Sequence, residues 1–171
     1  MFAEFIRKNN VVAGVLAFIR IYIGYSWLTS GWGKVTGGGF DASGFLHGAV
    51  ANSTGDHPAV QGWWAAFLEI VAIPNAGLFS FMMMWGEVLV GAALIVGLFT
   101  NFAAFMGVTM NFAFLFSGTV STNAQMVLLT LFILVAGYNA GKFGLDRFVI
   151  PFLRERFATE QGKQVTKPAQ A

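Results

Sequence analysis

Four long apolar runs separated by shorter polar stretches organise the chain. They lie at residues 11–33, 76–99, 102–117 and 124–141. A helix needs about 20 residues to cross the hydrocarbon core of a bilayer, and the runs approach this length, although the third is short. Helices satisfy their own backbone hydrogen bonds in lipid, so we interpret the runs as helical spans. The short turns that join the last three runs predict antiparallel neighbours.

The segment between the first two runs, residues 34–75, has a different character. After a glycine-rich stretch, its pattern predicts a short helix over residues 41–51 and a second over residues 57–73. The second carries the adjacent Trp63 and Trp64, and tryptophan is typical of the headgroup region of membranes. We therefore expect two interfacial helices on the extracytoplasmic side. The alternative is that the second enters the bilayer as a fifth span.

The C-terminal part of the chain is less apolar. Residues 142–157 mix aromatic and basic side chains, and Pro151 lies among them, which predicts a membrane-surface helix broken in two. Residues 158–171 are polar and predict a disordered cytoplasmic tail. The expected fold is therefore all-α: one domain over residues 1–157, an integral membrane four-helix antiparallel bundle with an interfacial helical segment between spans one and two.

Composition supports a membrane protein over a soluble one. Hydrophobic residues make up 56% of the chain and charged residues 11%, against about 25% charged in soluble domains. The lipid bilayer is therefore the expected partner, and no nucleic acid is. Most cations lie near the termini, so the positive-inside rule predicts that both termini are cytoplasmic. These cations are Arg7, Lys8, Lys142, Arg147, Arg154, Arg156, Lys163 and Lys167.

Metal and thiol chemistry have little support in the sequence. Cysteine is absent, which excludes a disulfide, a thiolate metal site and a CxxC redox motif. His47 and His57 lie outside the apolar runs, so a haem held by two histidines on facing helices is not expected. A metal site at these histidines is the weaker interpretation, and solvated loop residues the better one.

Three polar side chains interrupt the apolar runs: Arg20, Glu87 and Asn111. Each lies near the middle of its predicted span. A lone charge at the bilayer centre costs at least about 2.5 to 3.5 kcal/mol, so Arg20 and Glu87 at matching depth are predicted to contact each other. Small residues beside these charges favour close approach of spans one and two: Gly24, Gly31 and Gly91.

Two interpretations of these polar residues remain open. Ionisable groups inside a membrane are functional candidates, so the pair of Arg20 and Glu87 is a candidate lining for a pocket that takes a ligand or a proton. A matched ion pair is also what a purely structural staple between helices would contain. Nearby aromatic residues, including Tyr25 and Trp27, fit either the wall of a site for a flat quinone-like ring or the aromatic belt of the interface.

A recognisable pattern connects these features. Arg20 in the first span is followed by Gly-x-Gly-Lys at residues 31–34, a glycine-rich stretch to Phe40, and Glu87 ahead of Gly91 and Gly97. In residues 18–105 this pattern resembles the DoxX/DoxD-like family of small four-helix membrane proteins. The resemblance implies a cytoplasmic-membrane protein of a bacterium or archaeon, in a family in which some members are subunits of a thiosulfate:quinone oxidoreductase.

The resemblance implies that Arg20, Lys34 and Glu87 occupy the family's polar positions, but it brings no reactive centre with them. The first hypothesis is a quinone-linked oxidoreductase subunit in which Arg20 polarises a quinone carbonyl and Glu87 moves a proton, with a partner subunit completing the complex. Trp27, Asn111, Lys34 and Tyr25 are the candidate quinone-binding residues. The alternative is a non-catalytic membrane protein that binds a lipid or a partner protein. Small-solute transport ranks last because the spans offer few polar positions.

Overall fold

The computed structural model describes the backbone of residues 2–165 and the side chains as far as Ala158, and all regular structure within this range is helical. The elements are α1 (Phe2–Lys8), α2 (Asn10–Thr36), α3 (Ser43–Ala51), α4 (Gly62–Phe67), a π-helical turn (Leu68–Ala72), α5 (Ala76–Val96), α6 (Thr100–Phe116), α7 (Asn123–Ala136), α8 (Tyr138–Gly141) and α9 (Asp146–Val165). The all-α prediction is confirmed.

Four helices form the centre of the molecule, and they coincide with the four apolar runs. Helix α2 packs on α5, α5 on α6, α6 on α7, and α7 returns to α2. The core between them is apolar, with Ile23, Leu94 and Ile133 fully buried and Trp27 nearly so. Short connections make consecutive helices antiparallel.

The turn between α5 and α6 is tight and depends on a left-handed backbone. Gly97 ends α5 with φ 70°, and its amide donates to the carbonyl of Ala93. Phe99 follows with φ 47°, in a region that residues with a Cβ rarely adopt. A bulkier residue at Gly97 would be strained there, and its Cβ would also collide with the Arg20 guanidinium.

The segment between α2 and α5 covers one end of the bundle. Asp41 precedes α3 and accepts hydrogen bonds from the hydroxyl and the amide of Ser43, which lower the pKa of its carboxyl. The next helix begins at Gly62, later than predicted, because the amides of Ala59 and Val60 donate to the Asn52 carbonyl and fold the chain back onto α3. With the π-helical turn it has 11 residues, and at 1.5 Å per residue it is about 16 Å long.

The predicted break in the C-terminal helix is wrong, because α9 continues through Pro151. Pro151 lies on an exposed face, where solvent can reach the carbonyl that loses its hydrogen-bond donor. The tail predicted to be disordered, residues 158–171, is helical as far as Val165. Residues 166–171 lie outside the described range.

Two of the helices, α2 and α5, are long and apolar enough to cross a membrane. Helices α6 and α7 are apolar but shorter, with 17 and 14 residues. Large apolar side chains nevertheless point outward from all four helices, among them Phe18 of α2, Leu89 of α5, Phe102 of α6 and Leu128 of α7. Exposed apolar surface of this extent is typical of proteins in contact with lipid or with another protein.

Candidate functional site

Glycines set the alignment of α2 against α5. A Cβ on Gly91 would collide with the backbone of Leu28, and one on Gly24 would lie 2.9 Å from the Gly91 carbonyl oxygen. A Cβ on Gly31 would lie 2.9 Å from the Cβ of Glu87. The predicted close approach at these three glycines is confirmed, and it places Glu87 opposite Gly31, in the last third of α2.

Near Gly31, three polar side chains form a cluster that connects α2 and α5. Glu87 is 1% exposed, and its Oε2 lies 2.5 Å from Nζ of Lys34 and 3.0 Å from Oγ of Ser30. Ser30 and Lys34 are one turn apart on α2, and the ammonium also donates to the Ser30 hydroxyl at 2.8 Å. The side chain of Lys34 is 21% exposed. We call Ser30, Lys34 and Glu87 the carboxylate cluster.

The carboxylate cluster forms one wall of a cavity of about 260 Å³. Trp27 and Phe114 add aromatic surface to the wall, and Met126 adds a thioether side chain. The cavity lies at the end of the bundle where α6 turns into α7, and the turn contributes hydroxyl and amide groups to the wall: Thr119, Ser121, Thr122 and Asn123. It therefore offers a cation, a carboxylate and neutral polar groups to whatever enters.

A second cavity, of about 70 Å³ and with an apolar lining, adjoins the first. Phe114 belongs to the walls of both cavities. Phe40 lines the apolar cavity, and its ring lies 5.4 Å from Nζ of Lys34. Phe114 is therefore shared by a polar cavity and an apolar one, and Phe40 brings the apolar cavity close to Lys34. The rest of the apolar wall comes mainly from α3, α4 and the π-helical turn.

The predicted contact between Arg20 and Glu87 is wrong. Glu87 faces Gly31, eleven residues beyond Arg20 in α2, which separates the two levels by about 16 Å along the helix. Arg20 lies instead beside the turn between α5 and α6, where its Nη2 donates to the Phe143 carbonyl at 3.3 Å. The two helices pack with a stagger, because Gly24 near the middle of α2 meets Gly91 and Ile95 in the last part of α5, so equal depth within each run did not mean equal height.

The carboxylate whose charge acts on Arg20 is Asp146, at the start of α9. Asp146 is 1% exposed, and its carboxylate accepts from the amides of Phe99 at 2.6 Å and Thr100 at 2.9 Å. It thereby caps the first turn of α6 from a distant part of the chain. The sequence-based reasoning missed Asp146 and Ser30. The available signal for Asp146 was its position as the first acid after span four, beside Arg147.

The other predicted site residues do not all lie at the polar cavity. Trp27 lines the polar cavity, but a Cβ on Gly107 would lie 3.0 Å from its Nε1, so its indole nitrogen is directed at α6. Asn111 is fully buried one turn after Gly107, and neither its Oδ1 nor its Nδ2 has a partner within the described residues. Tyr25 is 62% exposed on the outside of the bundle. The described residues contain no His, Asp and Glu group fit to hold a metal ion.

Comparison with known proteins identifies the family. The DoxX family model matches residues 15–120, which is more than half of the chain and includes both Arg20 and the carboxylate cluster. No curated protein and no solved structure matches. The match confirms the resemblance seen in the glycines, Arg20, Lys34 and Glu87. The chain belongs to the DoxX family, and with its two long apolar helices it is a membrane protein.

Proposed function

We propose that all four central helices cross the membrane. Helix α6 is about 26 Å long, close to the ~30 Å of a hydrocarbon core, and α7 is about 21 Å long, so α7 needs its flanking residues, including α8, to span the core. Outward-facing apolar side chains on all four helices support this placement. The cations beside α1, α8 and α9 favour a cytoplasmic location for both termini. With this orientation, the cavity beside the carboxylate cluster opens toward the extracytoplasmic side, which is also the side of α3 and α4.

We propose further that the chain is a membrane subunit of a quinone-linked oxidoreductase and that its polar cavity binds the quinone head group. The observation that carries this proposal is the buried Glu87 carboxylate against Lys34, at the edge of a cavity. The residues fit such a group: Lys34 and Ser30 can donate to a carbonyl oxygen, and Trp27 and Phe114 offer flat apolar surfaces. The adjoining apolar cavity suits the first part of an isoprenoid tail.

In this proposal each residue of the chain has a limited task. Lys34 and Ser30 bind and orient one carbonyl oxygen, and Glu87 holds or moves a proton at Oε2. Lys34 takes the place that Arg20 had in the sequence-based hypothesis, because Arg20 lies at the other end of α2. A bound quinone supplies the two-electron acceptor. The chain has no cysteine, and in this proposal the electron donor belongs to a partner subunit.

Quinone retention tests this proposal. The protein, purified from membranes in a mild detergent, should retain quinone detectable by solvent extraction and mass spectrometry. Replacing Lys34 by Met should abolish retention because the main carbonyl donor is lost. Tyr25→Phe is the matched control, since Tyr25 lies on the outer surface. Equal quinone content in a folded Lys34→Met variant and the wild type would reject the site.

A non-catalytic role is the second candidate, and a specific contact favours it. Lys34 and Glu87 already neutralise each other, as a structural staple between α2 and α5 would. Glu87→Gln separates the two functions. If the variant is folded and quinone reduction by membranes is lost, the oxidoreductase is supported. If no quinone is retained by the wild type, the staple is the better account.

A further inference from the structure

A second polar cavity lies at the opposite end of the bundle from the carboxylate cluster. Its volume is about 290 Å³, and it is lined by Asn10, Tyr138, Lys142, Phe143 and Arg147. Asn10 begins α2, Tyr138 begins α8, Lys142 and Phe143 lie between α8 and α9, and Arg147 lies in the first turn of α9. We call it the basic cavity. It takes no part in the proposed quinone site.

The charge of the basic cavity is uncompensated. Its wall holds two cations and no carboxylate. Lys142 donates to Oδ1 of Asn10 at 2.5 Å, and the Arg147 guanidinium lies 5.8 Å from the Phe148 ring. Neither cation forms an ion pair with any side chain that the structure describes. Asp146, beside Arg147 in sequence, is buried against the amides of Phe99 and Thr100 and does not face the cavity.

The backbone around the basic cavity is fixed by contacts from distant parts of the chain. The amides of Leu145 and Asp146 donate to the carbonyls of Val96 and Gly97, at 3.1 and 2.8 Å. On the other side, the Asn139 side chain donates to the carbonyl of Ile6 at 2.7 Å. The backbone that carries the two cations is therefore held in place by hydrogen bonds to the rest of the protein.

Apolar side chains surround the basic cavity. Phe143, Leu145 and Phe148 are all exposed, and Tyr138 is partly so. Aromatic and aliphatic side chains beside cations are typical of protein surfaces that enter the headgroup region of a membrane. Basic pockets between helices at the cytoplasmic face suit the phosphates of anionic lipids. The apolar side chains around the cavity would contribute nothing to the binding of a soluble anion.

We propose that the basic cavity binds the phosphodiester headgroup of an anionic phospholipid of the cytoplasmic leaflet. Lys142 and Arg147 contact the phosphate oxygens, and the side chains of Asn10 and Tyr138 add neutral donors. Phe143 and Phe148 contact the adjoining acyl chains. The inference rests on the proposed placement in the membrane and is independent of quinone binding.

Native mass spectrometry of the detergent-solubilised full chain tests the proposal, with phosphatidylglycerol and phosphatidylcholine as probes. Phosphatidylglycerol should be retained in preference to phosphatidylcholine. A Lys142→Gln, Arg147→Gln double variant should lose about thirtyfold in affinity, since each cation near anionic lipid contributes about fivefold. Arg154→Gln with Arg156→Gln removes the same charge from a part of α9 that does not line the cavity and should leave affinity unchanged. Unfolding temperatures without lipid establish that the variants fold.

If the double variant fails to fold, Arg147→Gln alone, at an exposed position, should lower the affinity about fivefold. Equal losses in the Arg154 and Arg156 control would assign the effect to diffuse charge and overturn the site. Equal retention of both lipids would do the same. Displacement of phosphatidylglycerol by inorganic phosphate would show that the cavity takes a free anion instead of a lipid.

Discussion

Removing Lys34 should destabilise the protein more than removing the charge of Glu87. The two groups form one ion pair, but Glu87 is 1% exposed whereas the Lys34 side chain is 21% exposed. Lys34→Met leaves the carboxylate buried with Ser30 as its remaining hydrogen-bond donor, and an uncompensated buried charge costs about 3 to 5 kcal/mol. Glu87→Gln leaves an ammonium that can extend to solvent and should cost about 1 to 3 kcal/mol.

The assay is a double-mutant cycle on the free energy of unfolding, measured by denaturant titration in mixed micelles. The Lys34→Met, Glu87→Gln double variant should be more stable than the sum of the single changes predicts, by about 0.5 to 3 kcal/mol. Lys8→Met is the matched control, because the pair of Lys8 and Glu4 is exposed, and it should change stability by at most about 0.5 kcal/mol. Additive single effects, or coupling of Glu87 to Arg20 instead, would refute the pairing.

Three further predictions follow from the helix contacts and the proposed topology. Gly91→Ala should destabilise the protein by about 1 to 3 kcal/mol because the added Cβ meets the backbone of Leu28. Gly33→Ala is the control and should not lower stability, since the space around Gly33 is open. Equal unfolding midpoints of the two variants would contradict the contact between α2 and α5. Asp146→Ala should lower the free energy of unfolding by about 1 to 3 kcal/mol, since the Phe99 and Thr100 amides lose their acceptor, while the exposed Asp41→Ala should have a smaller effect. The chain has no cysteine, so a single introduced cysteine is the only thiol that can react. With an impermeant maleimide added outside intact cells, a cysteine at Thr54 should be labelled and one at Ala158 should not. The reverse pattern would show the opposite topology.

The helices could be predicted from the sequence because the apolar runs are long and their ends are marked. Helix α5 begins at Ala76 as predicted and ends at Val96, three residues before the end of the predicted run, because the left-handed backbone of Gly97 stops it. The start of the interfacial helix could not be predicted, because it depends on hydrogen bonds from residues 59 and 60 to Asn52. Such contacts join parts of the chain that no local pattern connects.

The site was predicted in its residue types but not in its pairing. Lys34 and Glu87 were both identified, yet Glu87 was assigned to Arg20 from depth within each run. The runs 11–33 and 76–99 are nearly equal in length, but the helices pack with a stagger, so counting inward from the ends of the runs misaligns them. The glycines contained the missing information: aligning Gly24 and Gly31 with Gly91 and Val88 places Lys34, not Arg20, within reach of Glu87.

Photoaffinity labelling tests the central proposal most directly. A quinone carrying an azido group on its ring, bound to the protein in membranes and photolysed, should attach to residues of the polar cavity, with Trp27, Phe114 and Met126 as the nearest targets. Peptide mapping should show that the label is lost in Lys34→Met and competed by unmodified quinone. Labelling at the Arg20 end of α2, or labelling that unmodified quinone does not reduce, would contradict the assignment of the cavity.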